Sequence, residues 1–139
     1  MQYRPLFSLA SRLREKANTL ITAELEKAGI HGIGPSHGDI LTELFRQDGR
    51  SMCELASCIR RSKSTMTTLI GKLEAQHFVV KVQHPEDARG MLVFLTPEGR
   101  ALRRVFDDVS SKLQQYIASR ITMAEADMLE KLLRKMLED

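Results

Sequence analysis

Apolar residues recur along this chain with two different periods, and the switch between them marks out its architecture. Leu6, Leu9, Ala10, Leu13, Ala17, Leu20, Ile21 and Leu25 fall three and four residues apart. That spacing predicts an amphipathic helix from Leu6 to about Ala28, with Gly29 as its stop. The stretch HGIGPSHGD, His31 to Asp39, is the clearest loop. A second helix starts at Gly34-Pro35 or Ser36, gathers Ile40, Leu41, Leu44 and Phe45 on one face, and ends at QDGR, Gln47 to Arg50. Ser51 with Glu54 three residues on is a capping-box signature. It opens a short helix that buries Leu55, Ala56 and Ile59. After Arg60-Arg61-Ser62 another helix begins near Ser62 or Lys63 and buries Met66, Leu69, Ile70 and Leu73. Two short helices joined by a tight break form a helix-turn-helix candidate.

After Gln76 the period becomes two. FVVKV, Phe78 to Val82, and MLVFL, Met91 to Leu95, read as strands around the turn HPEDARG. Together they make a β-hairpin with a charged tip. Thr96 is a good N-cap with Pro97 at the first helical position. The long helix that follows buries Leu102, Val105, Phe106, Val109, Leu113, Tyr116 and Ile117. Thr122 and Glu125 form another capping box, opening a last helix that buries Met128, Leu129, Leu132, Leu133, Met136 and Leu137. The expected fold is mainly α with a small β-hairpin. A helix-turn-helix followed by a hairpin is the winged-helix arrangement, with Pro85 to Gly90 as the wing tip.

The length of 139 residues suits a single domain with a real core, and the net charge of +3 hints at an anionic partner without proving one. No apolar run is long enough to span a bilayer, and the N-terminus lacks a signal-peptide core, so the expected location is cytoplasmic. Cys53 and Cys58 sit five apart in one helix, a rise of roughly 7.5 Å, too far for a comfortable disulfide. A reduced thiol pair is the default reading, and a redox role is the alternative. His31, His37, His77 and His84 show no metal-ligand spacing, and no cofactor is expected. With no nucleophile motif, P-loop or dinucleotide fingerprint, the chain is not expected to be an enzyme.

The placement of charge is more informative than its sum. With Met66, Leu69, Ile70 and Leu73 turned inward, Lys63, Ser64, Thr67, Thr68 and Lys72 remain on the other side of their helix. Small hydroxyl side chains let a helix approach a groove and bond phosphate or base edges. Arg60, Arg61, Lys63, Lys72 and Lys81 cluster there, with Glu74 the one acid among them. For any one of these residues a solvated polar face is the plainer explanation; for the set, groove contact is the better one. At the wing, Arg89 is placed to enter a minor groove, and Asp87 could hold its guanidinium.

The segment from Leu55 to Leu102, and above all the pattern Asp87, Arg89, Leu95, Thr96 and Gly99, resembles the MarR family of winged-helix transcriptional regulators. That resemblance implies a homodimeric regulator, most often a repressor, binding a roughly palindromic duplex. It also implies release by a small-molecule effector or by thiol oxidation. The implied organisation is one domain over 1–139, with a DNA-binding lobe at about 36–100 and dimerisation helices at about 1–30 and 101–139. Lys63, Ser64, Thr65, Thr67 and Thr68 match the contact segment of the recognition helix, Arg89 the wing arginine, and Asp87 its acidic neighbour. Three positions depart from the family pattern. Arg60-Arg61 stand where Gly-Val is frequent, His77 stands where a helix-ending Gly is common, and Gly71 interrupts the recognition helix at a cost of about 1 kcal/mol against Ala. In the oxidation-sensing branches the key Cys lies in the first helix, where this chain has none. The expected partners are double-stranded DNA, a second copy of the chain and a small-molecule effector, with no membrane. The competing reading is a winged-helix module for protein interaction or ligand sensing that does not bind DNA.

Overall fold

The computed structural model describes residues 2–138. In chain order its elements are α1 Leu6–Lys27, α2 Pro35–Arg46, β1 Arg50–Ser51, α3 Met52–Ile59, α4 Lys63–Ala75, β2 Val79–Gln83, β3 Met91–Leu95, α5 Pro97–Ala118 and α6 Met123–Leu137. Helix starts follow local capping chemistry. Ser51, Ser62, Thr96 and Thr122 each accept the backbone N–H three residues on, satisfying a donor the helix leaves free. At Thr122 the capping box is complete, because Glu125 accepts the Thr122 N–H in return. That bond holds the Glu125 carboxyl below its ordinary pKa.

The hairpin expected from the sequence is in fact part of a three-stranded antiparallel sheet in the order β1-β3-β2. Arg50 and Ser51, read from the sequence as the end of a turn and the start of a helix, pair with Val93 and Leu92. Two residues carry too short a pattern to announce a strand; only the pairing with β3 defines it. The first wing strand also begins one residue late, at Val79, because His77 takes a left-handed conformation (φ 65°) and Phe78 completes the turn out of α4.

The core lies between α2, α3, α4 and the inner face of the sheet. Ile40, Leu41, Leu55, Met66, Ile70, Leu73 and Val93 have no exposed surface. Each such side chain contributes about 1.5–3 kcal/mol of transfer free energy. The C-terminal half of α1, through Leu25, and the first half of α5, through Leu102, close this core from one side. Phe106 meets Phe45 edge to face at 5.5 Å between ring centroids.

The terminal helices leave much of their apolar surface uncovered within a single chain. None of Met128, Leu129, Leu132, Leu133, Met136 and Leu137 is buried in the chain, and in α5 Ile117 is likewise exposed. Leu6, Leu9 and Leu13 at the start of α1 are exposed too. The apolar residues keep their helical spacing, but no described element of the same chain covers these faces.

Candidate nucleic-acid interface

The break between α3 and α4 is made by Arg60, which adopts a left-handed conformation (φ 55°) at the end of α3. A non-glycine residue bears about 1–2 kcal/mol there, and in return the chain turns sharply within one residue. The Arg61 N–H then donates back to the Ala56 carbonyl, and Ser62 caps α4 through the Thr65 N–H at 3.2 Å. The departure at Arg60-Arg61 therefore leaves the helix-turn-helix intact and adds two exposed guanidinium groups to it.

With Met66, Ile70 and Leu73 facing the core, the 3.6-residue repeat turns Ser64, Thr67, Thr68 and Gly71 outward. All three hydroxyl residues are exposed, and a methyl added at Gly71 would meet no atom within 4 Å. The Thr67 hydroxyl donates to the Lys63 carbonyl at 3.0 Å and that of Thr68 to the Ser64 carbonyl at 3.3 Å. With their protons committed to the helix, these two oxygens face outward as acceptors, suited to amino groups on base edges. Thr65 lies at the margin of this face and receives a hydrogen bond from the Ser62 hydroxyl at 2.9 Å. Lys63 is exposed beside it.

The rest of the expected basic cluster is partly diverted. A methyl added at Gly32 would meet Lys72 Nζ at 2.9 Å, so Lys72 leans over the loop between α1 and α2 rather than outward with Thr68. Gln76 supports the same loop by donating to the His31 carbonyl at 3.2 Å. Lys81 pairs with Glu74 at 3.5 Å. Arg61 reaches toward Ser36 Oγ at 3.4 Å, which ties the turn to the first residues of α2. Helical spacing sets the position of Lys72 on α4, but its long flexible stem decides where the charge goes, as do those of Lys81 on β2 and Arg61 in the turn.

The wing tip is closed by its own hydrogen bonds. His84 N–H donates to the Gly90 carbonyl, Gly90 N–H to the Asp87 carbonyl, and the Gln83 side-chain amide to the Ala88 carbonyl at 2.6 Å. Asp87 corrects an expectation. Its carboxylate accepts the backbone N–H of Arg89 at 3.0 Å, and no Asp87–Arg89 ion pair forms among the described residues. A short acidic side chain bonds the backbone two residues on more readily than it reaches a long guanidinium stem. Asp87 therefore shapes the backbone, and Arg89 is left exposed.

The foot of the wing explains the Leu-Thr-x-x-Gly pattern. Leu95 is buried. Thr96 Oγ1 accepts the Gly99 N–H and donates to the His77 carbonyl at 2.6 Å, while the Thr96 N–H donates to the Phe78 carbonyl. One residue thus ties the end of α4 to the start of α5. A Cβ at Gly99 would collide with the Phe78 carbonyl oxygen, so no side chain fits. Asp48, which sequence reasoning passed over, completes the junction. It accepts the Leu95 N–H at 2.8 Å, and Arg100 approaches its other oxygen at 3.7 Å. The Asp-Gly pair was read as a turn signal; its partner 47 residues away was not visible in the sequence.

Cys53 and Cys58 are free and exposed. Arg50 donates to Cys58 Sγ at 3.0 Å and also pairs with Glu43 at 2.7 Å. His37 is a helix-start residue. Its Nδ1 accepts the Gly34 N–H at 3.1 Å, and burial together with the nearby Lys72 charge lowers its pKa. Among the described residues no group of three His, Cys, Asp or Glu side chains could hold a metal ion, and no helix is long and apolar enough to cross a membrane. A cavity of about 300 Å³ opens between α1, α2 and α5. Its wall is apolar through Ile21, Leu25, Phe45 and Phe106, and charges of both signs line the rest, Arg14, Arg46 and Arg103 with Asp39 and Asp107.

A model of the MarR family matches residues 33–91, which span α2, the helix-turn-helix, the first wing strand and the wing tip. The HTH-type transcriptional regulator MhqR of Bacillus subtilis (strain 168) is 22% identical over 131 residues, 94% of this chain and 88% of that protein. The crystal structure of a mutant MarR from E. coli complexed with operator DNA superposes with a TM-score of 0.86 at 25% identity, covering 96% of this chain and 94% of the other. Wild-type E. coli MarR in its apo form gives 0.75 at 25% identity, covering 99% and 100%.

Proposed function

We infer, from the family match over residues 33–91 and the likeness to an operator-bound structure, that the chain is a MarR-type DNA-binding transcriptional regulator acting as a homodimeric repressor. The observation that carries this reading is the outward face of α4. Ser64, Thr67, Thr68 and Gly71 present a slim surface of hydroxyl acceptors and bare backbone, flanked by Arg60, Lys63 and Arg89. A slim polar face admits a helix deep into a major groove, and the flanking cations neutralise phosphates on either side.

A second copy supplies what the terminal helices lack. The exposed stripes of α1 and α6 are long, apolar and continuous, and an isologous pairing would cover both. Two recognition helices related by a two-fold axis would then meet successive major grooves about 34 Å apart. The cavity between α1, α2 and α5 is the natural seat of a small-molecule effector, because it lies where the dimerising helices meet the DNA-binding lobe. Residues 36–100 serve as that lobe, and 1–30 and 101–139 as the dimerising arms. Arg60, Arg61, Lys63, Ser64, Thr65, Thr67, Thr68 and Arg89 form the contact set, with Asp87 shaping the wing and Lys72 contributing its field from the loop side.

The test is selection of bound fragments from random duplex DNA at two salt concentrations, followed by titration of the enriched sequence. A palindromic site whose affinity falls steeply with salt is expected. Arg89→Ala should weaken binding by about 1–3 kcal/mol with no change in melting temperature. Enrichment of no sequence at moderate salt would leave the non-DNA-binding module as the better account.

A further inference from the structure

The wing tip contains one acceptor whose chemistry differs from its neighbour's. Asp87 takes the N–H of Arg89, two residues on, through a carboxylate oxygen. Three residues earlier His84 does the same for Glu86, through imidazole Nδ1 at 3.0 Å. Side-chain acceptance of the i+2 N–H is ordinary for Asp and Asn, where it closes a compact turn. Here an imidazole fills that place, with the ring proton assigned to Nε2 by the bond that Nδ1 accepts. His84 also holds the other side of the tip, because its own N–H donates to the Gly90 carbonyl and its Cβ lies 3.3 Å from where a side chain at Gly90 would begin. The Pro85-Glu86 corner and the Ala88-Arg89 corner are thus fixed by two side chains set back to back.

We propose that His84 is a positioning residue of the wing, fixing the tip so that Arg89 is presented in one orientation. The proposal rests on the reading of Arg89 as a DNA contact. His84 touches no DNA in this account; it acts on binding through Arg89. A loose tip would have to be ordered at each binding event, and that entropy would be subtracted from the affinity. The wing is exposed, so the same bond contributes little to folding.

The experiment measures affinity for the duplex that the unmodified chain enriches from a random-sequence pool. His84→Ala, His84→Asn, Arg89→Ala and the double variant His84→Ala with Arg89→Ala are compared, with melting temperature as the control for folding. His84→Ala should weaken binding about three- to tenfold, the range of one net hydrogen bond. His84→Asn, whose Oδ1 can accept the same Glu86 N–H, should restore it to within about twofold. In the Arg89→Ala background, His84→Ala should cost less than about twofold, because a positioning effect disappears with the group it positions. An unchanged affinity in His84→Ala, no rescue by Asn, or full additivity in the double variant overturns the proposal while leaving DNA binding intact. An unchanged affinity in Arg89→Ala removes the wing contact itself, and the proposal with it.

Discussion

The winged lobe and the terminal helices carry the same apolar period and end in opposite states. In α2, α3 and α4 the stripe residues Ile40, Leu44, Leu55, Met66 and Ile70 are at most 1% exposed. In α6 the stripe positions run from 41% for Leu133 to 76% for Leu137. The difference teaches that a helical stripe records the need for cover and not its source. Short loops fold α2, α3 and α4 onto each other and onto the sheet, so one chain supplies every neighbour. Helix α6 follows a long α5 that carries it away from that core, and its stripe waits for another surface.

The largest expected effect sharpens the first half of the comparison. Gly99→Ala forces a Cβ, whose place the backbone fixes, against the backbone carbonyl of Phe78, where neither side can rotate away. A loss of about 3 kcal/mol is expected, read by chemical denaturation and independent of protein concentration. A stable variant would mean that α5 can shift without disturbing the wing.

Leu132→Asp addresses the other half. It should leave the secondary structure in place, convert a dimer to a monomer in light scattering, and abolish binding to a palindromic duplex while half-site contacts persist weakly. If the substitution left mass and binding unaltered, the α6 stripe would not be an interface. Unlike Gly99→Ala, its effect should fade at high protein concentration, because mass action restores the dimer.

Smaller changes probe the start of the recognition helix. Ser62→Ala removes the cap on the Thr65 N–H, and about 1 kcal/mol of stability should go with it. Ser62→Gly should cost only a few tenths, and equal losses in the two variants would argue against a capping role.

The smallest effect is a pH slope. Burial first, and then the Lys72 charge, lower the His37 pKa below its ordinary value of 6.5. A group depressed in the folded state binds fewer protons there than in the unfolded chain. Its stabilisation is therefore fully present above about pH 6.5 and is lost as pH falls from there through the folded-state value. Only half of a capping box exists here, since Gly34 has no side chain and His37 alone contributes a bond. His37→Gln keeps an acceptor at that position without titrating, so melting temperature between about pH 7 and 5 should flatten. An identical slope in both proteins would assign the acid sensitivity to other groups.

Local rules made much of the site legible. The caps at Ser51, Ser62, Thr96 and Thr122, the strand pair and the outward hydroxyls of α4 all follow from interactions within four residues or from one repeat. Asp87 shows where legibility stopped. Its type and position were evident, but whether it would bond a guanidinium or a backbone N–H depended on the shape of the tip. Lys72 failed for a similar reason, since its helical position is fixed while its four-carbon stem is drawn to the distant loop at Gly32.

By itself, the sequence determined where the helices begin and end, which face of each is apolar, and that a helix-turn-helix precedes a hairpin, because these depend on nearest neighbours along the chain. Tertiary structure alone decided that Arg50-Ser51 joins the sheet, that Asp48 reaches Leu95, that Thr96 ties α4 to α5, and that the α6 stripe is left bare. Those outcomes depend on which distant segments arrive together, and no local periodicity encodes a meeting between residues so far apart along the chain.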